Sequence, residues 1–399
     1  MEARSSLSAD SPTLQVDRDG LAWLVFDDPR HTLNLFTRDV MGRLAEGLEE
    51  ARFLVRAGRV RALVLWSGKE DSFFGGAEVS AIEEIRDQWE GAAIARHGQG
   101  VFQALATFPC PTLAAIHGAC VGGGLEMSLA CHHRVASDSR TTQLGFPEVL
   151  LGILPAWGGT TRLSRSIGLR KALPLLLTGR RISSTEARRL GLLDRVLPAQ
   201  GFQEAVAARG RCLARGEKPP RRIGREESPN PSSGERRLRA GSPGFLPALI
   251  LASARRKILR RTGGHYPAPE AILDVLSRSW GRPIEESLKA EADALGQLIT
   301  SPVSKKLIRV FRLRQDARRR KDLPEGKVER TTFAAPLRTA QAEAARNLLQ
   351  RGVPKRALRQ EPWSFGFVKD PLSGKPLRGM GRARRESESE EPGHRLALP

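Results

Sequence analysis

The segment from Pro111 to Glu126 constrains this chain more than any other. An apolar, strand-like run, Pro111-Thr112-Leu113-Ala114-Ala115-Ile116-His117-Gly118, leads to Gly122-Gly123-Gly124-Leu125-Glu126 and then to a helix-like stretch, Met127 to Ala130. Three successive glycines let a backbone come close to whatever lies beside it. The first N–H groups of the helix that follows have no carbonyl to bond within it, so they point outward and attract a ligand oxygen. Glu126 stands one step beyond them. Twenty-two residues later a second carboxylate, Glu148, follows Phe146-Pro147, with Gly152-Ile153-Leu154-Pro155-Ala156-Trp157-Gly158-Gly159 behind it. Each piece alone has a plainer reading: triple glycine marks tight turns, and a glutamate in a first helical turn stabilises the helix dipole.

The rest of the chain alternates strands and helices. Residues 13–16 and 21–26 flank Asp17-Arg18-Asp19-Gly20, a hairpin signal. Residues 38–54 have helical periodicity, with Leu44, Leu48 and Phe53 on one side. Residues 60–66 are continuously apolar, as a strand covered on both faces requires. A further glycine turn, Gly75-Gly76-Ala77-Glu78, opens a helix, and helical stretches follow at 81–89 and 92–106. Residues 134–137 read as a strand, 170–178 and 184–190 as helices (the second capped by Ser183 or Ser184), and 192–197 as a last strand. This order predicts an α/β chain of stacked ββα units rather than a doubly wound dinucleotide fold. Residues 215–242, rich in Pro, Gly, Ser and charge, read as a linker. Amphipathic helices are expected at 245–261, 270–279 and 284–320. The stretch 322–399 combines Arg runs, scattered prolines and Glu386-Ser387-Glu388-Ser389-Glu390-Glu391, and reads as disordered. The expected division is a core over 1–200, a helical extension over 201–320 and a basic tail over 321–399.

Composition narrows the function. With 399 residues, 40% of them hydrophobic, the chain can bury a sizeable core. Its apolar runs are too short to span a membrane. The N-terminus lacks the hydrophobic core of a secretory signal and carries acids that disfavour a transit peptide, so a cytoplasmic location is expected. Cys110, Cys120, Cys131 and Cys212 lack C-x-x-C spacing, which argues against a zinc site or disulfide framework. His117 and the His132-His133 pair have no ligand partners at metal-binding spacing and read as structural. Ser128 lacks the elbow sequence of a hydrolase nucleophile. Gly379-Met380-Gly381 has neither the strand nor the helix of a dinucleotide loop, so no NAD site and no cofactor are expected. The net charge of +21 is lopsided: residues 1–200 hold 23 Lys+Arg against 22 Asp+Glu, and the remainder 42 against 22. The basic half admits two readings, a polyanionic partner or a solvated Arg-rich surface.

Taken together, the three glycine turns and two glutamates resemble the crotonase (enoyl-CoA hydratase/isomerase) superfamily over most of the first two hundred residues. The wording Leu144-Gly145-Phe146-Pro147-Glu148-Val149-Leu150-Leu151-Gly152 is similar to the hydratase module of multifunctional fatty-acid oxidation proteins, whose alpha subunits fuse a hydratase to a 3-hydroxyacyl-CoA dehydrogenase. The block that includes Thr262-Gly263-Gly264-His265-Tyr266-Pro267-Ala268-Pro269 is similar to the helical stretch that completes the hydratase there. The likeness stops beyond Lys321, where the fused proteins continue into a nucleotide-binding turn.

The resemblance implies a crotonase-type spiral followed by a helical extension, acting on trans-2-enoyl-CoA in fatty-acid β-oxidation to give 3-hydroxyacyl-CoA, with Δ3–Δ2 isomerase activity as a companion. It implies Glu126 and Glu148 as the catalytic pair, Glu126 mainly activating water and Glu148 mainly supplying the C2 proton. The oxyanion hole falls on the N–H groups of Ala77 and Gly123. Gly76, Gly122, Gly124, Pro147, Trp157 and Gly158 are the implied substrate-binding positions. The chain departs from many relatives in the first turn, where Gly75-Gly76-Ala77-Glu78 stands for alanine-glycine-alanine-aspartate; turn and charge are both kept. The implied partners are an acyl-CoA thioester substrate and either further copies in a homotrimer or a thiolase-type enzyme. A different reading is a remnant of a multifunctional enzyme, from a truncated or frame-disrupted gene, that binds nucleic acid or a partner through its basic half. Aromatic residues interleaved with the Lys/Arg runs are scarce, which disfavours nucleic acid.

Overall fold

In a computed structural model, the structure describes residues 12–216 and 245–319, together with Gln350. Of these, residues 12–216, 245–255 and 267–316 belong to one compact unit, and 256–266 with 317–319 to a second. Residues 217–242 of the expected linker, and the expected tail apart from Gln350, lie outside the described residues.

The first unit is built by strands that alternate between two sheets. β1 (Thr13–Val16) and β2 (Leu21–Phe26) form the expected hairpin. β3 (Ala62–Ser67) pairs with β2, and β4 (Ser72–Phe74) leaves for a second sheet. The same step is repeated by β5 (Thr112–Ile116) and β6 (Ala119–Val121), and again by β7 (His133–Ser137) and β8 (Gln143–Gly145). β9 (Arg181–Ser183) joins the small sheet and β10 (Arg195–Leu197) the large one. The orders are β1-β2-β3-β5-β7-β10 and β4-β6-β8-β9. Each pair of strands is followed by a helical element, which is the ββα repeat expected from the sequence. The four strands of the small sheet have three residues each. That is too short for a period of two to stand out.

Burial explains the patterning. Along β2, β3 and β5, Leu24, Phe26, Leu63, Leu65, Ala114 and Ile116 enter the main core. The alternate residues Leu21, Ala62, Val64, Leu113 and Ala115 pack instead against Phe202, Val206 and Leu213 of helix α8 (Phe202–Ala214). Both faces are covered, so the strands read as unbroken apolar runs. Residues on the two sides of position 200 therefore share one core, and the division drawn there does not mark a gap in packing. Helix α1 (Arg38–Arg56) is capped by Thr37, whose Oγ1 accepts the Val40 N–H at 3.1 Å. Leu44 and Leu48 face the core, but Phe53 is 68% exposed. Five residues past Leu48 is about 140° around a helix, off the buried stripe.

The helix boundaries shift where capping chemistry dictates. Instead of 81–89 and 92–106, the chain forms α2 (Val79–Glu84) and α3 (Gln88–Ala106), with Asp87 capping α3 through the Trp89 N–H. Between them and α8 come α4 (Gly123–Ala130), α5 (Gly159–Ile167), α6 (Leu169–Thr178) and α7 (Ser184–Leu190), the last capped by Ser183. α9 (Phe245–Thr262) and α10 (Pro267–Ser279) follow. The single helix expected over 284–320 is two, α11 (Ile284–Ile299) and α12 (Pro302–Arg319). Pro302 lacks an N–H and fits the first position of a new helix, not the interior of an old one.

α11 lies against α3 at a crossing of small residues. A Cβ on Gly296 would stand 2.3 Å from the Gln88 carbonyl oxygen, and one on Gly91 would stand 2.7 Å from Ile299 Cγ2. Gly296→Leu has no room there and must push α11 off α3. The expected loss is about 1–3 kcal/mol, read as a lower denaturation midpoint. An unchanged midpoint refutes the tight crossing.

Candidate active site

The first glycine turn is held by the loop before α1. Asn34 is buried, its side-chain amide donating to the Phe26 carbonyl at 2.9 Å and to Ser67 Oγ at 2.8 Å. Its own carbonyl accepts the Gly75 N–H at 2.9 Å. Two residues on, Phe36 N–H donates to Gly76 O at 2.9 Å, and Glu78 N–H donates to Phe36 O at 3.3 Å. This bridge uses the residues on either side of Ala77, so the Ala77 N–H is not spent on it.

The second turn leaves β6 through Gly122, whose φ of 57° lies in the left-handed region. The Gly122 carbonyl accepts the N–H groups of Leu125 (2.9 Å) and Glu126 (3.0 Å), closing the first turn of α4. Gly123 heads that helix, where an N–H has no intrahelical acceptor. The two turns touch: a Cβ on Gly76 would lie 3.3 Å from the Val121 carbonyl oxygen and 3.8 Å from the Gly123 nitrogen. A Cβ on Gly122 would lie 2.9 Å from Glu148 Oε1. Glu148 arrives on a short 3-10 turn, Pro147–Leu151, started by the proline and ended by Gly152.

These parts line one cavity of about 1380 Å³. Gly76, Ala77, Gly122, Gly123, Glu126, Pro147, Glu148 and Trp157 all contribute to its wall. Ile82, Ile94, Leu151, Ile299 and Leu307 make other parts of the wall apolar. Two of the residues named from the sequence have other duties. Gly124 faces Phe74, against whose Cβ an added methyl would sit at 2.5 Å, so it serves packing. Gly158, with φ 107°, is buried and its N–H is held by a carboxylate from α11. Trp157 lies edge-on to Phe36 and Phe102 and is seated on Gly123, whose added Cβ would meet its ring at 2.6 Å.

Glu126 is 3% exposed. Its Oε1 accepts the N–H groups of Trp157 and Gly159, both at 2.7 Å, at the start of α5. Burial raises its pKa well above the carboxylate range, and the charges of Glu148 and Glu291 add to the rise. The two backbone N–H bonds oppose it. Burial also lifts Glu148, to about 8, and its Oε2 is buried without a hydrogen-bond partner. Two backbone N–H groups of the α5 turn meet the Glu126 carboxylate, while the N–H that favours ionisation of Glu148 is its own.

Sequence reasoning missed Glu291 and the polar groups around it. Glu291 is fully buried; its Oε2 accepts Gly158 N–H at 3.0 Å and its Oε1 accepts Thr161 N–H at 2.6 Å. Arg162, also buried, donates to the Trp157 carbonyl (3.0 Å) and to Gln103 (2.9 Å). Gln99 ties the Ala156 carbonyl to that of Leu288 on α11. A signal was present: Glu291 lies in the same stripe as buried Leu288, Ala292 and Leu295, where a solvated charge does not belong. The histidines have structural partners: His132 Nδ1 meets Thr112, and His117 Nε2 meets the Lys69 carbonyl. Among the described residues, no three His, Cys, Asp or Glu side chains are grouped to hold a metal, and no helix is long and apolar enough to cross a membrane.

Two sheets fed in alternation by ββα units, with a helical C-terminal region, define the crotonase fold. Residues 17–223 match the family model described as Enoyl-CoA hydratase/isomerase, and the chain belongs to that family. Over 293 residues it is 36% identical to the fatty acid oxidation complex subunit alpha of Shewanella sp. (strain ANA-3), covering 73% of this chain and 39% of that subunit. The corresponding subunit of Shewanella oneidensis is 37% identical over the same length. The chain thus spans about two-fifths of the length of these curated relatives. Among solved structures, human mitochondrial delta3-delta2-enoyl-CoA isomerase superposes with a TM-score of 0.54 at 19% identity, over 77% of this chain and 98% of that one. An enoyl-CoA hydratase from Mycobacterium avium subsp. paratuberculosis gives 0.50 at 18%, over 76% and 95%. These two likenesses concern the fold.

The packing role of Gly124 has a direct test. Gly124→Ala is expected to lower stability by about 1–3 kcal/mol without weakening retention of an acyl-CoA ligand by the folded fraction. Weakened ligand binding with unchanged stability contradicts it.

Proposed function

We infer that the chain is an enoyl-CoA hydratase, adding water to trans-2-enoyl-CoA to give 3-hydroxyacyl-CoA. The observation that carries this reading is the convergence of Glu126, Glu148 and the Ala77 and Gly123 turns on one cavity. The thioester oxygen accepts both N–H groups and takes up the enolate charge, and preorganised donors of this kind are worth about 3–4 kcal/mol each. Glu126 takes a proton from a water molecule as the water oxygen bonds to C3. The C2–C3 π pair moves to C2 through the enolate, and Glu148 delivers its proton to C2. The cavity then returns the proton from Glu126 to Glu148 for the next cycle. In the same cavity, Δ3–Δ2 isomerisation needs one carboxylate to carry a proton between C4 and C2.

Turnover is read as loss of the ultraviolet absorbance of a short trans-2-enoyl-CoA. Glu148→Gln is expected to lower kcat by about 10²–10⁴-fold, and an inactive wild-type protein overturns the assignment. The pH profile gives a second test. Glu148 must hold a proton, and burial places its pKa at about 8. The rate therefore falls as pH rises through about 8. A rate still climbing well above pH 8 contradicts the role of Glu148 as the acid.

A further inference from the structure

Glu126 and Glu291 come from helices far apart in the chain, yet they divide a single turn between them. Trp157 and Gly159 give their N–H groups to Glu126, while Gly158 and Thr161 give theirs to Glu291. These are the donors at the start of α5, where a helix dipole favours negative charge. Neither carboxylate can hold the turn alone, because neighbouring N–H groups point to opposite sides of it. Gly158, between the two, has a backbone that other residues rarely adopt, and an added Cβ would stand 1.8 Å from the Arg162 guanidinium. Both sides of the turn are occupied.

We propose that Glu291 is a positioning residue for Glu126: from the helical extension it locks the Trp157–Thr161 turn whose other N–H groups aim the Glu126 carboxylate into the cavity. This rests on the hydratase reading for its consequence in turnover, but its geometry is independent of the substrate. The extension adds two further clamps on the same wall. Ser304 Oγ of α12 donates to the Leu151 carbonyl at 3.0 Å, behind Glu148, and Lys305 donates to the Glu83 carbonyl at 2.7 Å and to that of Ile85, at the end of α2. Neither touches Glu126, whereas Glu291 bonds the turn that does.

The charges around the pair settle the sign of a test. Glu126 is faced by Glu148 and Glu291, and Glu291 by Glu126, Arg162 and, further out, Arg165. Burial raises Glu291 to about 7, so Glu291→Gln removes a negative charge present above about pH 7 and keeps an oxygen to accept the shorter Thr161 bond. Glu291→Leu removes the charge and both acceptors. The acidic limb of the kcat–pH profile, where Glu126 must lose its proton, is expected to move to lower pH in Glu291→Gln, with kcat down about three- to tenfold and KM within about threefold. Glu291→Leu is expected to lose more than about thirtyfold in kcat, again with little change in KM. A carboxyl-carbon NMR titration of Glu126 in the ligand-free protein reads the same shift without turnover, and it serves also if Glu291→Leu does not fold. The proposal is overturned if Glu291→Gln lowers only the melting temperature and leaves kcat, the acidic limb and the Glu126 titration as in wild type. If the wild type hydrates nothing, the hydratase reading falls. The NMR shift then still decides whether Glu291 sets Glu126.

Discussion

One helix start, shared by two buried carboxylates, is the constraint on which the site depends. Isolated charges in a protein interior are costly unless hydrogen bonds replace their water. Four backbone N–H groups in the turn before and within α5 supply that replacement for Glu126 and Glu291 together, and the Arg162 guanidinium supplies countercharge nearby. The glycines at 158 and 159 follow from this. A Cβ on Gly159 would stand 2.8 Å from Glu126 Oε1, and Gly158 has Arg162 against it. The glycine pair is what a doubly occupied anion site at the start of a helix requires.

A different economy governs Glu148. Burial raises it to about 8 against the pull of its own backbone N–H, whereas two N–H groups of the α5 turn oppose the rise at Glu126. In the proposed hydration that difference assigns Glu126 to the base and Glu148 to the acid. The 3-10 turn that carries Glu148 is held from behind by Ser304, so its height over Gly122 is set by the extension as well as by the core.

The legible parts of this chain were those written in local chemistry. The apolar runs of β2, β3 and β5, the hairpin at Asp17–Gly20, the Ser183 cap and the glycine turns at 75–76 and 122–124 all have short-range causes. So do Glu126 and Glu148, each next to the turn that places it. The small sheet was illegible because three-residue strands carry no period. The break at Pro302 was visible in the sequence but was overridden by an apolar pattern that runs through it. Gly124 and Gly158 look like their glycine neighbours, and only the positions of Phe74 and Arg162 separate a packing glycine from a cavity glycine. Glu291 was hidden for another reason: its partners, Gly158 and Thr161, lie 133 and 130 residues earlier. Its place within an apolar stripe was the one trace it left.

The contact between α11 and the turn at Trp157 also sets an order in time. Synthesis proceeds from the N-terminus, and domains fold as their parts emerge. The glycine turns, both sheets and Glu148 are all available once residue 200 has been made, but the two sides of the α5 turn are not occupied until Glu291 follows. Closure across so long a separation is slow to form, because the chain between must be ordered first. A nascent chain therefore holds Glu126 and Glu148 before it holds Glu291, Ile299 and Leu307, which complete the turn and the cavity wall. Under the hydratase reading, competence arrives with α11 and α12, not with Glu126 and Glu148.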